Sequence, residues 1–477
     1  MQKEAGLVKE NKELRAEISY LKQELEQFKR LIFGSRKERF IPSDPGQQEL
    51  FRQQVKEPPK EEEDISYTRK KGKNKGAAKR LQLPAHLPRQ EEIINPEDTD
   101  EQSEQIGQKV SEVLEYTPGK FYVHKTIRPV YKQKSGMIKV APLPSQVIPS
   151  GNAGASLLAY LMVSKYMDHL PFYRQVQIFK RDGVKLPEST ISGWFKKVCE
   201  LMVPLYEEMV KQVDHTDYIQ ADESPLPVLC NQKPGGTHKG YQWVFLMPKT
   251  KMVVFRYDKS RSREVPLKML KNFKGCLQTD GYKGYDEISR RKDIIHIGCM
   301  AHARRKFYEV KDNYPEQAEH ALNIFQQLYH LEEQARKEQL DADQLRLRRE
   351  EKASPLLKEL KLWLIEQAKE ALPKSGLGKA INYTLTQWER LIKYTENGEW
   401  MIDNNWVENK IRPLALGRKN YLFAGSHQAA QQAAMMYSFL GTCKINDIDP
   451  LEWFTQTLRK LPECNVNDLA KMLPVKT

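Results

Sequence analysis

Asp222, Asp280 and Glu408 are the residues of this chain best equipped to do chemistry. Asp222 closes an extended run, Tyr218-Ile219-Gln220-Ala221-Asp222. Asp280 closes another, Cys276-Leu277-Gln278-Thr279-Asp280, and Gly281 follows it. Glu408 lies in Trp400-Met401-Ile402-Asp403-Asn404-Asn405-Trp406-Val407-Glu408-Asn409-Lys410, a stretch of helical character. Two carboxylates at strand ends and a third on a later helix can hold two divalent ions about 3.5–4 Å apart. Such ions activate an attacking oxygen and stabilise a leaving oxygen in phosphodiester chemistry. Magnesium suits an all-carboxylate, partly hydrated site, and manganese substitutes for it. Each acid also has a plainer use as a surface carboxylate or a helix cap; Asp403 and Asn404 are natural caps for the helix bearing Glu408. Glu223 and Asp286 are nearby acids and second choices.

The charge balance names a partner for that chemistry. Lys and Arg number 77 against 63 Asp and Glu, a formal net charge of +14 over 477 residues. A basic chain of this kind suits a polyanion, and double-stranded DNA is the expected substrate. The length predicts roughly three domains at about 100–200 residues each. Apolar runs fall short of the ~20 residues that span a bilayer, and the charged, heptad-patterned start is unlike a signal peptide. Six cysteines, Cys199, Cys230, Cys276, Cys299, Cys443 and Cys464, occur without Cys-x-x-Cys spacing. That predicts reduced thiols in a bacterial cytoplasm, and excludes a disulfide framework or a zinc ribbon.

The elements that must position the acids begin at residue 213. Tyr218–Asp222, Tyr241–Leu246 and Met252–Tyr257 read as strands, the last two joined by the Pro248-Lys249-Thr250-Lys251 connection. Ser262–Lys271 reads as a helix, Gly275–Thr279 as a fourth strand, Tyr282–Arg290 as a short helix and Ile294–Ile297 as a fifth strand. This order fits an α/β, ribonuclease-H-like mixed sheet over 213–309, in which the first and fourth strands are neighbours and bring Asp222 to Asp280. A helical insertion over 310–395 precedes a core helix with the third carboxylate over 396–435, and a helical region over 436–477 ends the chain. The insertion's apolar stripe reads as core; the alternative is a clamp on DNA or on a partner subunit.

The first half is built differently. Residues 1–33 carry a heptad seam, with Leu7, Leu14, Leu21 and Phe28 interleaved by Asn11, Ile18, Leu25 and Ile32. Glu10 with Arg15, Glu17 with Lys22 and Glu24 with Lys29 have the spacing of interhelical pairs, which predicts a parallel coiled-coil dimer. Residues 34–105 have linker composition; Arg69–Arg80 holds seven bases and no acid, suited to phosphate contact or to a solvated tether. A small β module is expected over 106–150, with a hairpin made by Val113–Tyr116 and Phe121–Ile127 around Thr117-Pro118-Gly119. Residues 151–212 read as helices. Tyr173–Arg181, the breaker Asp182-Gly183 and the helix after Pro187 are compatible with a helix-turn-helix and equally with ordinary packing.

Several ordered segments carry a resemblance. They are Asp168-His169-Leu170-Pro171-Phe172-Tyr173-Arg174-Gln175, Ala221-Asp222-Glu223-Ser224-Pro225, Thr279-Asp280-Gly281-Tyr282, Cys299-Met300-Ala301-His302-Ala303-Arg304-Arg305-Lys306-Phe307 and Asp403-Asn404-Asn405-Trp406-Val407-Glu408, the last running on from Arg412 to Ser426. With them the chain resembles the DDE transposases of bacterial insertion sequences, specifically the insertion-sequence-sixty-six family. The resemblance implies Asp222, Asp280 and Glu408 as the catalytic and metal-binding triad, Mg2+ or Mn2+ as cofactor, and cleavage and joining of DNA at transposon ends. It also implies small accessory transposition proteins as companions. One departure stands out: the family's two cysteine pairs before the helical segment are missing, so no structural zinc is expected there.

Basic residues around the acids are the expected DNA contacts. His302, Arg304, Arg305 and Lys306 follow the fifth strand on a helix, and Arg412, Arg418 and Lys419 follow Glu408 within about three helical turns. Their plain alternative is a solvated helix face. Cys299 and His302 alone are too few ligands for a metal. Two functions are therefore set against each other: a transposase acting as a homodimer or higher oligomer on the nucleoid, and a non-catalytic dimeric DNA-binding protein derived from one. All three acids with intact flanks favour the transposase.

Overall fold

The structure is a computed structural model, and it describes residues 151–229 and 236–476, with parts of 119–149. The heptad seam and the basic run Arg69–Arg80 lie outside the described residues. The chain divides into two units, one spanning Arg36–Pro142 and another containing Leu143–Thr477. Within the first, β1 (Val130–Lys132) pairs antiparallel with β2 (Ile138–Val140). The hairpin thus lies downstream of the predicted one. Phe121–Lys125 and Ile127 are not strand, while 113–118 fall outside the described residues.

The second unit is built on a five-stranded mixed sheet. β3 (Tyr218–Leu229), β4 (Thr237–Met247) and β5 (Met252–Asp258) form an antiparallel meander, and β6 (Gly275–Gln278) and β7 (Ile294–Ile297) add to β3 in parallel. The order across the sheet is β5-β4-β3-β6-β7. Trp243, Val244, Phe245 and Leu246 of β4 are fully buried, so both faces of that strand are covered. A Phe245→Ala change would cost about 3–5 kcal/mol. Gly275 opens β6 at φ +127°, and a Cβ there would meet the Asp217 carbonyl. Glycine is what lets β6 dock against the start of β3.

Helices cover the sheet. α1 (Ala155–Tyr166), α2 (Phe172–Arg181) and α3 (Glu188–Lys211) come first, and Gly183 at φ +81° turns the chain between the latter two. Lys165 lays its ammonium 3.8 Å from the Phe172 ring centre, and burial pulls its pKa down to about 8. α3 buries Ile191, Trp194, Phe195 and Val198 in the core and turns Lys196 and Lys197 outward. Between β5 and β6 lies α4 (Glu264–Met269), and α5 (Met300–Val310) follows β7. The expected helix over Tyr282–Arg290 is instead two short 3₁₀ turns, Lys283–Tyr285 and Ile288–Arg290. Gly281 and Gly284 weaken a continuous helix there.

The insertion holds α6 (Pro315–Lys337), α7 (Ala342–Arg348), α8 (Ser354–Glu370), α9 (Gly376–Thr386) and α10 (Trp388–Ile392). Phe325, Leu328, Leu360, Leu364 and Ile381 make a second core with Met300, Ala303 and Phe307 of α5. The stripe read from the sequence is therefore core, and it seats the insertion on the helix that carries His302–Lys306. A π-helical turn, Arg349–Ala353, joins α7 to α8. After the insertion come α11 (Asn405–Tyr421), α12 (His427–Ile445) and α13 (Pro450–Lys460). No described helix is long and apolar enough to cross a membrane.

Candidate active site

Asp222 lies within β3, not at its end. The sequence places Asp222 at the close of the run Tyr218–Asp222, but the strand continues through Pro225 and Pro227. In the structure β3 pairs with β6 only as far as Gln220, but with β4 through Leu229. Beyond Gln220 the second edge of β3 is free of β6, and prolines are tolerated on an edge. Asp280 stands two residues after the end of β6, and Glu408 in the first turn of α11.

Three contacts lock α11 and the residues just before it to β3. Gln220 accepts the Val407 N–H on Oε1 at 3.3 Å and donates from Nε2 to the Asp403 carbonyl at 3.1 Å. Arg418 donates to the Pro225 carbonyl. α11 ends at Leu422 in the left-handed region (φ 63°), and Ala424 then pairs with β3, donating to Pro227 and accepting from Leu229. Gln278 continues the buried network, with the Tyr218 hydroxyl 2.5 Å from its Oε1 and its Nε2 on the Met401 carbonyl at 2.8 Å. Gln220 and Gln278 are fully buried, each two residues before an acid. The repeated Gln-x-Asp in two otherwise apolar strands was the sequence signal for this scaffold.

The three acids bear on one another electrically. Burial raises the Asp222 pKa well above the usual carboxylate range; the negative charges of Glu223, Asp280 and Glu408 add to it. The Glu223 N–H donates to Asp222 Oδ1 at 2.8 Å and partly opposes this. Asp280 Oδ1 accepts from the Tyr282 N–H at 2.9 Å, closing the turn after β6. Tyr383, from the insertion, covers that turn so closely that a Cβ on Gly281 would meet its ring at 2.7 Å.

The second-choice acids have structural partners. Glu223 is almost fully buried and gripped by Arg261, with the Tyr285 hydroxyl at 3.2 Å. Asp286 pairs with Arg390 at 2.9 Å. Asp403 accepts from the Tyr329 hydroxyl at 2.8 Å and from the backbone and side chain of Asn405, so it caps α11. Asn404 does not cap; its side-chain amide is buried without a hydrogen-bond partner in the described structure.

The expected DNA contacts divide. Arg304 is exposed, and Arg305 and Lys306 are half-exposed on α5. Arg305 reaches Glu408 Oε2 at 3.3 Å. His302 turns inward, with Nδ1 3.6 Å from Glu408 Oε1, and burial lowers its pKa. It therefore faces the acid site uncharged at neutral pH, unlike the phosphate-contacting cation expected from the sequence. Arg412 and Lys419 lie exposed on α11, while Arg418 is engaged with β3.

The acids fit a divalent cation. Glu408 Oε1 is buried without a hydrogen-bond partner, and the charges acting on Asp222 are all negative. Carboxylates that repel one another in this way are hard oxygen donors whose charge a divalent cation relieves.

The chain is similar to known proteins. A profile described as "Transposase IS66 family" matches residues 150–432. Two shorter ones match on either side: "Transposase C of IS166 homeodomain" over 20–91 and "IS66 C-terminal element" over 438–475. Two uncharacterized proteins of Sinorhizobium fredii (strain NBRC 101917 / NGR234) are similar. One, y4jD, is 30% identical over 491 residues, covering 97% of this chain and 94% of that protein. The other, y4qI, is 35% identical over 401 residues, covering 80% and 74%. These matches define a transposase with a DDE-type domain. The chain belongs to the IS66 transposase family.

Proposed function

We propose that this chain cleaves DNA at the ends of an insertion sequence and joins the freed strand to target DNA. Asp222, Asp280 and Glu408 would hold the divalent ions, Mg2+ with Mn2+ as substitute. The observation that carries the reading is the electrostatics of Asp222 on β3, a buried carboxylate on which the charges of Asp280, after β6, and Glu408, on α11, both act. The strand order β5-β4-β3-β6-β7, three antiparallel and two parallel, supports a ribonuclease-H-like core. When bound, the ions would supply the activation of the attacking oxygen and the neutralisation of the leaving one.

The protein's own groups set the rest. Gln220 and Gln278 hold the acids in register. Arg305 orients Glu408 through Oε2. Arg304, Lys306, Arg412 and Lys419 contact phosphates and position the duplex. The heptad seam of residues 1–33 makes the active species a dimer or higher oligomer, with accessory proteins beside it at the nucleoid. The test is divalent-ion-dependent cleavage and strand transfer on duplexes carrying the element's ends. Asp222→Asn, Asp280→Asn and Glu408→Gln should each abolish both reactions while DNA binding survives. Near-normal strand transfer by folded Glu408→Gln protein would refute the third assignment.

A further inference from the structure

Glu408 has a second face. Its Oε2 is held by Arg305, while Oε1 is buried, without a hydrogen-bond partner among the described residues, and 3.6 Å from His302 Nδ1. His302 Nδ1 is equally buried and without such a partner. Cys299 stands at the start of α5, three residues before His302, so one helix face carries both. A ligand atom from each of Cys299, His302 and Glu408 lies within 4.8 Å of the other two.

We propose that Cys299, His302 and Glu408 form a binding site for a zinc-class divalent cation, chemically distinct from the all-carboxylate site but sharing Glu408 with it. The donor set is the first argument. Thiolate and imidazole select borderline-soft transition metals, whereas Mg2+ keeps to oxygen. The spacing is the second. Metal–ligand bonds of about 2.0–2.3 Å put neighbouring tetrahedral ligand atoms roughly 3.3–3.7 Å apart. The His302–Glu408 separation of 3.6 Å already meets this, and the sulfur needs only a small closure. Three protein ligands leave a fourth position for water.

The His302 and Glu408 side chains are 20% and 26% exposed, while the Cys299 side chain is buried behind them. Burial pushes the Cys299 thiol up, and the backbone N–H groups of Asn404 and His302 only partly oppose this, so the metal itself must displace the proton. On binding, the Cys299 S–H bond breaks, its proton leaves to solvent, and the sulfur's electron pair forms the bond to the metal. A zinc-class ion held on Glu408 Oε1 would compete with the carboxylate site for this acid. That consequence rests on the proposed role of Glu408 in cleavage; the binding site itself does not.

The full chain, stripped of metal and kept reduced, should be titrated with Co2+ alone. Binding of one equivalent should produce a thiolate-to-cobalt charge-transfer band in the near ultraviolet, and Zn2+ but not Mg2+ should displace it. The band should vanish in Cys299→Ser and Cys299→Ala, and His302→Gln should weaken binding by at least about tenfold. Thermal unfolding checks that each variant is folded. A wild-type protein without the band, or a band that persists in both folded cysteine variants, overturns the site. Zn2+ should also inhibit Mg2+-dependent cleavage by wild type and spare Cys299→Ser. A wild type that binds Co2+ through Cys299 yet cleaves unaffected by Zn2+ overturns the sharing of Glu408. Cleavage by Glu408→Gln would instead overturn the catalytic assignment, without touching the spectroscopic result.

Discussion

Asp222 pays for its position with stability. Burial, and then the charges of Glu223, Asp280 and Glu408, raise its pKa. A raised carboxylate pKa costs stability as pH rises above the ordinary carboxylate range, because the native state holds the proton more tightly than the unfolded chain. Asp222→Asn keeps the shape and removes that charge. It should therefore raise the thermal midpoint of the metal-free protein, with a gain of about 1–2 kcal/mol, even as it abolishes cleavage. A lowered midpoint would show that the acids are not in conflict. His296 gives the opposite pH sign. The Thr279 hydroxyl donates to the Asp280 carbonyl, so His296 Nε2–H must donate to Thr279 Oγ1 at 2.8 Å. Burial, and then the charge of Arg390 against that of Asp286, drive the His296 pKa down to about 3 from 6.5. Its contribution is thus complete above about pH 6.5 and lost as pH falls towards about 3, on the order of a few kcal/mol. His296→Gln should flatten the acid limb of stability across that window relative to wild type. Parallel limbs in both proteins would rule the histidine out.

At the scale of elements, one buried side chain ties the insertion to the stretch that precedes Glu408. Arg349, 2% exposed, meets Glu332 through two bonds of 2.8 and 2.7 Å and donates to the carbonyls of Tyr394, Asn397 and Trp400. It opens the π-helical turn and fastens the insertion to the segment that leads to Glu408. Arg349→Ala leaves Glu332 half of a broken pair, at a cost of about 3–5 kcal/mol. The variant should melt earlier and lose strand transfer, and hydrogen exchange should rise first in α6, α8 and the Trp400 stretch. Protection that falls uniformly over the sheet would mean that Arg349 does not act locally. Much of this scale was legible beforehand. Alternating apolar runs placed β4, β5 and β7 within a few residues, with Ile294–Ile297 matching in full, because periodicity reports burial. The passage of β3 through two prolines was not legible, since the edge that tolerates them exists only once β6 stops pairing. Nor was the meeting of Cys299, His302 and Glu408. One helix face carries the first two, but the third arrives through a network of buried glutamines that propensity cannot foresee.

At the scale of the whole molecule, a formal net charge of +14 sets the terms of the encounter with DNA. The basic side chains fall into separate groups: Arg69–Arg80 in the linker, Arg304–Lys306 on α5, and Arg412 with Lys419 on α11. Each phosphate neutralised releases condensed counterions, so log K against log[salt] should fall with a slope of about −0.9 per phosphate contacted. The groups on α5 and α11 flank the acids and are fixed to the sheet, so they should hold the scissile region in place. The run Arg69–Arg80, with seven bases and no acid, should add affinity without choice of sequence. Deleting Arg69–Arg80 should therefore flatten the salt slope while the preference for the element's ends over random duplex stays the same. Replacing Arg304 and Lys306 by Ala should also flatten it, but with a fall in cleavage larger than the loss of binding, because phosphates near the reacting bond would be misplaced. Binding measured by anisotropy from low to physiological salt, beside single-turnover cleavage at saturating protein, separates the two effects. An unchanged slope in the deletion would make the linker run a tether. Equal losses of binding and cleavage in the α5 variant would reduce that helix to general electrostatic attraction.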